Sequence, residues 1–188
     1  MPNPAAMTGE ETARYTGVAV ALHWIIAVLL IGNIVLGLGH DSFGKAATPW
    51  MMFFHKAVGI TVLGLTLARL AWRLTHRPPA YHPVLKAWEK RLAGALHWLF
   101  YLMLIAIPLT GWMLSSSSAR ATNFWGLFDI PPLPVAPSAH DMLEDAHEIL
   151  GKAMISLVLL HVAGALKHHL AGHRHLMGRM APWLYRGR

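Results

Sequence analysis

The sequence predicts an all-α fold, an integral membrane four-helix bundle with both termini in the cytoplasm. Three observations carry this. Four stretches stay apolar over the ~20 residues that a bilayer crossing needs. The chain of 188 residues is 55% hydrophobic and only 13% charged, whereas soluble domains carry roughly 25% charged residues. Lys and Arg gather in the connections on one side of the apolar stretches, and that side stays cytoplasmic.

The elements follow in order. Residues 1–16 read as a polar cytoplasmic N-terminal segment. Glu10 and Glu11 outnumber the single base Arg14, and the apolar run that follows is too long for the core of a cleavable signal. The first helix is expected over about 17–38, with Thr16 able to cap it. The second covers about 51–74 and the third about 92–114, followed by the serines 115–118. The fourth covers about 141–169; Glu144, Asp145 and Glu148 make its first turns polar, where the helix dipole favours acids. Together, residues 17–170 form one domain, and 171–188 form a basic cytoplasmic tail. The connection from Ser115 to His140 contains Pro131, Pro132, Pro134 and Pro137, so it is expected to be irregular and to lie outside.

Charge gives the sidedness. Arg73, Arg77, Lys86, Lys90 and Arg91 join the second and third helices, and the tail holds Lys167, Arg174, Arg179, Arg186 and Arg188. The other side has Lys45 and Arg120 against Asp41, Asp129, Asp141, Glu144 and Asp145. The formal charge of +7 is thus a topology signal. The spans leave little soluble surface for a basic groove, so nucleic acid is not an expected partner. The chain has no cysteine, which excludes disulfides, Cys-ligated iron–sulfur clusters and covalent haem attachment through C-x-x-C-H.

Five histidines lie inside the apolar stretches: His23, His55, His97, His147 and His161. Ionisable groups at such depths are costly and are usually functional. His147 and His161 are 14 positions apart, about 40° short of four full turns, so they share one helix face ~21 Å apart along its axis. Each has a partner at matching depth. His23 lies ~9 Å into the first helix and His161 ~12 Å from the cytoplasmic end of the fourth. His55 lies ~6 Å into the second helix from outside, near the level of His147. Two imidazoles on opposite faces of one porphyrin iron make a bis-His b-type haem, and filled axial positions favour electron transfer over oxygen binding. The pattern therefore reads as two non-covalent haem b groups, with His23 and His161 on the inner iron and His55 and His147 on the outer. Gly59, Gly151 and Gly164 fall within a turn of these histidines and leave room for a macrocycle or for helix contact. A membrane histidine can also simply bond between helices. A single ion shared by both pairs is excluded by their separation, and no carboxylate joins either pair at metal-motif spacing.

The stretches ALHWIIAVLL (21–30), FHKAVGITVLGLTLARLAWR (54–73) and AHEILGKAMISLVLLHVAGALKHHL (146–170) resemble the bacterial cytochrome b561 family, from about Thr16 to about Pro182. The chain is similar, too, to the cytochrome b subunits of formate dehydrogenases and some hydrogenases. The resemblance implies a dihaem, four-helix cytochrome of the bacterial inner membrane with the ligand pairs above. It also implies an oxidoreductase that oxidises superoxide and passes electrons to ubiquinone.

Further residues take roles on that basis. Arg69, and Arg73 one turn on, are candidates to meet inner-haem propionates, which need cationic partners; snorkelling anchorage is the alternative for Arg73. Lys56 and Lys152 stand toward the outside, where they can meet outer-haem propionates or attract superoxide, or else pair with Glu148, Glu144 or Asp145. His97 lies at the depth of His23. It can replace His23 as a ligand, bond a propionate or quinone carbonyl, or pack. His168 and His169, with Lys167, end the fourth helix where a quinone carbonyl could be bonded and protonated, or form an interfacial cap. His40, His76, His82, His140, His173 and His175 read as loop or tail residues without a catalytic role. Trp24 adjoins His23 as a candidate pocket wall, and Pro108 is expected to kink the third helix. Within the same class the chain could relay electrons between quinol and a periplasmic redox partner. In another class it is a haem-free scaffold or metal-ion transporter.

Overall fold

A computed structural model describes residues 15–39, 42–81 and 84–185, excluding the side chains of residues 174, 175, 184 and 185. Most of the expected N-terminal segment, His40, Asp41, His82, Arg186 and Arg188 lie outside the described residues, as do the side chains of Arg174 and His175. Four long helices dominate: α1 (Gly17–Gly39), α2 (Thr48–Thr75), α3 (Ala87–Ser117) and α4 (His140–Leu170). All four are long and apolar enough to cross a membrane. Outward-facing Val28, Ile31, Val35, Leu159 and Val162 are exposed, a surface suited to lipid and costly in water.

α2 starts at Thr48, three residues earlier than expected, with Pro in its first turn, where the missing N–H costs nothing. α3 starts at Ala87, five residues early, because the Glu89 carboxylate accepts the Lys86 N–H at 3.0 Å, a capping interaction. It also runs on through the serines. Ser116 and Ser117 donate their hydroxyls to the Trp112 and Leu114 carbonyls, both at 2.7 Å, so the polar run satisfies itself and stays helical. Pro108 lies inside α3.

The connection after α3 is not irregular throughout. A two-stranded antiparallel hairpin, β1 (Thr122–Phe124) and β2 (Phe128–Ile130), closes it. Trp125 and Gly126 both take positive φ, 56° and 76°, a turn that matches strand twist. Asn123 holds that turn through the Gly126 N–H (2.7 Å) and Asp129 (2.8 Å). Trp125 pins the hairpin to α2 by donating its indole N–H to Thr61 Oγ1 at 2.9 Å.

Nor is the segment after α4 only a solvated tail. Gly172, at φ 85°, ends the helix, and a short helix α5 (Arg174–Gly178) and a 3-10 turn (Pro182–Tyr185) follow. They fold back on the bundle. The Trp24 indole donates to the Met180 carbonyl at 2.7 Å and its ring meets Trp183, while Arg179 donates to the Ala80 carbonyl at 2.7 Å. Ala181 is buried. An indole N–H on an apolar helix face needs an acceptor, and this segment supplies it.

α1 packs along α2, α2 along α3, and α3 along α4, whereas α4 approaches α1 and α2 closely at few points. The core gathers Ile26, Val58, Val62, Met103, Leu104, Met154 and Leu157. On α4, Met154 and Leu157 fall between His147 and His161, so the apolar core separates two levels of histidine.

Candidate paired-histidine sites

At the end of the bundle that carries the hairpin, His55 on α2 faces His147 on α4 with ring centres 6.0 Å apart. Toward the end that carries the tail, His23 on α1 faces His161 on α4 with ring centres 6.2 Å apart. A metal–imidazole bond is ~2 Å. That puts each ring centre ~3 Å from the metal, and two opposed rings ~6 Å apart. Both spacings are compatible with one metal held between the rings. Both pairs also bridge helices that are not close neighbours, which is where a flat macrocycle finds room.

Second contacts support the fit. His55 Nδ1 lies 3.1 Å from the Asn33 carbonyl, and His147 Nδ1 lies 3.1 Å from the Ile107 carbonyl. Metal-bound histidines characteristically donate their second N–H in this way. Thr110 Oγ1 lies 3.2 Å from His147 Nδ1 as well. A small cavity of about 30 Å³ opens beside the hairpin-end pair, lined in part by Asn33, Gly59, Val62, Pro108 and Met154. Asn33 Oδ1 and, deeper in α2, Thr66 Oγ1 are buried without a hydrogen-bond partner. Buried polar atoms of that kind are uncommon without a missing ligand or water.

His97 also reaches His161, with ring centres 6.1 Å apart, and its Nδ1 meets the carbonyl of Ala93 on its own helix at 2.6 Å. Distance alone does not separate His97 from His23. The helices do: α3 and α4 are packed against each other, which leaves a macrocycle no slot between His97 and His161, whereas α1 and α4 stand apart.

At the tail end a cavity of about 140 Å³ is lined by Tyr15, Arg69, Trp72, Arg73, Arg77 and Tyr101, among others. Arg69 Nε donates to the buried Tyr101 hydroxyl at 3.3 Å. Arg73 sits 5.6 Å from the Trp98 ring centre and 5.8 Å from that of Tyr101, a cation–π seat. Burial raises the Tyr15 phenol above its ordinary pKa, against the opposing pull of Arg179 and Arg73, so it stays a neutral donor. His168 is half-buried near this end, its ring centre 6.3 Å from that of His173. Trp24 meets His23 edge-on with ring centres 5.5 Å apart.

At the hairpin end Lys56 is half-buried and donates to Ser115 Oγ at 3.1 Å, with Arg120 within electrostatic reach. Lys152 faces outward and is paired with Glu148 one turn away. His140 Nδ1 meets Ser117 Oγ at 2.9 Å.

Sequence reasoning missed Asn33, Gly37, Thr110 and Gly111. Asn33 was detectable as an amide inside an apolar span. The two glycines were not, because their partners are on other helices. A Cβ on Gly151 or Gly164 would meet nothing within 4 Å, so neither glycine serves close helix contact. Gly59 faces only the Asn33 side chain, with Nδ2 at 3.6 Å.

Comparisons with known proteins agree with one another. The profile of the prokaryotic cytochrome b561 family matches residues 14–183. Cytochrome b561 homolog 2 of Escherichia coli (strain K12) is 29% identical over 174 residues, 89% of this chain and 90% of its own length. Probable superoxide oxidase CybB of Yersinia pestis is 28% identical over 177 residues, covering 90% of this chain and 96% of that protein. Cytochrome b561 homolog 1 of Escherichia coli (strain K12) is 25% identical over 173 residues, covering 90% and 97%.

Proposed function

This chain belongs to the prokaryotic cytochrome b561 family, and from that premise we propose that it is a two-haem cytochrome that oxidises superoxide at the periplasmic face and reduces ubiquinone within the membrane. As a family member it is a b-type haem-binding redox protein, and with its four spans it is a multi-pass protein of the bacterial inner membrane. The observation that carries the two-haem reading is the pair of opposed imidazoles at each of two levels, 6.0 and 6.2 Å between ring centres.

In this reading the tail end is cytoplasmic and the hairpin end periplasmic, in keeping with the Lys and Arg distribution. His23 and His161 hold the inner haem, and His55 and His147 the outer. Haem held there would supply one-electron redox chemistry, and two imidazoles on each iron would favour electron transfer over oxygen binding. Lys56, aided by Arg120, draws the superoxide anion toward the outer end; Lys152, offset by Glu148, contributes less. Arg69, and Arg73 beside it, answer inner-haem propionates in the cavity they line. His168 donates a hydrogen bond and a proton to the quinone carbonyl, and His97 packs beside His161 as a polar neighbour. Oxidising two superoxide anions releases two O2 and two electrons, and reducing one ubiquinone to ubiquinol consumes those electrons and two protons. The superoxide activity is supported by the likeness to the Yersinia protein.

Oxidised and dithionite-reduced spectra of the detergent-purified protein, with haem quantified per chain, test the reading. Two low-spin b haems are expected, followed by quinone-dependent reoxidation after superoxide is supplied. One haem would overturn half of the ligand scheme, and none would overturn it all. Reduction by ubiquinol but not by superoxide would favour an electron relay to a periplasmic partner instead.

A further inference from the structure

Gly37 on α1 and Gly111 on α3 share one construction. A Cβ on Gly37 would lie 2.9 Å from His55 Cε1 and 3.2 Å from its Nδ1; a Cβ on Gly111 would lie 2.9 Å from His147 Cε1 and 3.3 Å from its Nδ1. In each case the carbonyl that meets Nδ1, at 3.1 Å, belongs to the residue one turn earlier on the glycine's helix: Asn33 before Gly37, Ile107 before Gly111. A helical carbonyl accepts the N–H four residues on, and the side chain at that position leans back over it. Without a Cβ there, the carbonyl is open to an imidazole from the neighbouring helix, which at Ile107 shares the oxygen with the Thr110 hydroxyl, a donor at 2.9 Å. Gly32 on α1 and Gly64 on α2 have nothing within 4 Å, and a Cβ on Gly39 or Gly94 would meet only side chains of Met51 and Phe43 (3.1 Å) or Tyr81 (3.3 Å), so among the described glycines the approach to an imidazole belongs to these two positions. The two seats relate α1–α2 and α3–α4 as similar halves, although the sequence around them differs.

A carbonyl oxygen only accepts, so the bond requires the proton on Nδ1 and leaves Nε2 with the lone pair in both rings. We propose that Gly37 with the Asn33 carbonyl, and Gly111 with the Ile107 carbonyl, are matched seats that fix the tautomer and ring orientation of His55 and His147. They are positioning residues for the outer haem, acting through its ligands. The inference rests on the reading of His55 and His147 as axial ligands. Methyl groups at these places would push each ring off its carbonyl by tenths of an ångström, and second contacts of this kind tune a metal centre.

The test uses full-length, haem-loaded protein and three variants: Gly37→Ala, Gly111→Ala and, as a control on α1, Gly32→Ala. Haem per chain, low-spin EPR of the oxidised protein and a redox titration are measured for each. The outer signal is identified as the one that His147→Ala removes. An unvaried protein lacking that second haem would defeat the ligand reading before the variants are considered. Given two haems, Gly37→Ala and Gly111→Ala should each move the outer haem's EPR signal and midpoint potential, with the inner haem unchanged and Gly32→Ala silent. Gly111→Val should lower the content from two haems to one. An outer signal and potential in both alanine variants equal to those of Gly32→Ala would overturn the proposal. Loss of both haems in both alanine variants, with Gly32→Ala intact, would overturn it as well, because it would assign these glycines to helix packing.

Discussion

The ring centres of His23 and His161 lie 6.2 Å apart, although the helices that carry them, α1 and α4, approach each other closely at few points. Two polar rings reaching across a gap in an apolar bundle need something between them to repay their burial. His161→Ala should therefore leave one haem per chain in place of two, with the outer haem's spectrum intact. His97→Ala should keep both, because its helix is packed against α4. Haem quantification and reduced-minus-oxidised spectra of the two variants check this; one haem in His97→Ala and two in His23→Ala would exchange their roles.

Arg69 is held by the Tyr101 hydroxyl in the cavity at the tail end. A fixed positive charge favours the reduced, less positive state of a nearby haem. Arg69→Gln should lower the inner haem's midpoint potential by tens of millivolts, where ~59 mV is a tenfold change in a one-electron equilibrium. Redox titration resolves the shift; an unchanged inner potential would place the propionates elsewhere.

Lys56 is the half-buried base at the hairpin end. Lys56→Gln should slow superoxide-driven reduction several-fold at low salt, one charge's share of the ~10–1,000-fold steering that a whole charged cleft can give. The difference should shrink as ionic strength rises, because the ~10 Å screening length at 0.1 M shortens further. Stopped-flow or pulse-radiolysis rates at two salt concentrations measure it. Lys152→Gln, which removes a charge already met by Glu148, should change the rate less.

Trp24 ties the C-terminal segment to the bundle through the Met180 carbonyl. Trp24→Phe keeps the aromatic contact but removes the donor, at a cost of about 1 kcal/mol. Limited trypsinolysis should then cut at Arg179 faster than in the unvaried protein, with both haems retained. Equal cutting rates would mean that the Trp183 contact and the Arg179–Ala80 bond hold the segment without Trp24.

Much of the candidate site was legible because helix periodicity is strict. Once His147 and His161 are on one helix, their shared face and axial separation follow from 100° and 1.5 Å per residue, and depth from the span ends selects His23 and His55. Periodicity fails where the partner is another helix. Gly59, Gly151 and Gly164 are visible from the sequence because they are near the histidines in number; Gly37 and Gly111, which touch them, are near only in space. The serines after Leu114 read as a helix end because hydroxyls compete with the backbone. Here those hydroxyls bond back within the helix, and it continues. The hairpin was hidden by the prolines around it, and the tail by its charge, since basic residues signal sidedness whether or not the backbone folds back.

The sequence by itself determined what local rules control: four apolar spans, the excess of bases on one side, and two imidazoles on one face of α4. The tertiary structure decided which helices stand apart, which carbonyl meets each hairpin-end imidazole, that His97 is on a helix packed against α4 while His23 faces a gap, and that the last described residues return to the bundle. Those outcomes depend on packing between segments far apart in the chain. Such packing is set by shape and by unpaired polar groups, and no pattern within a single span records it.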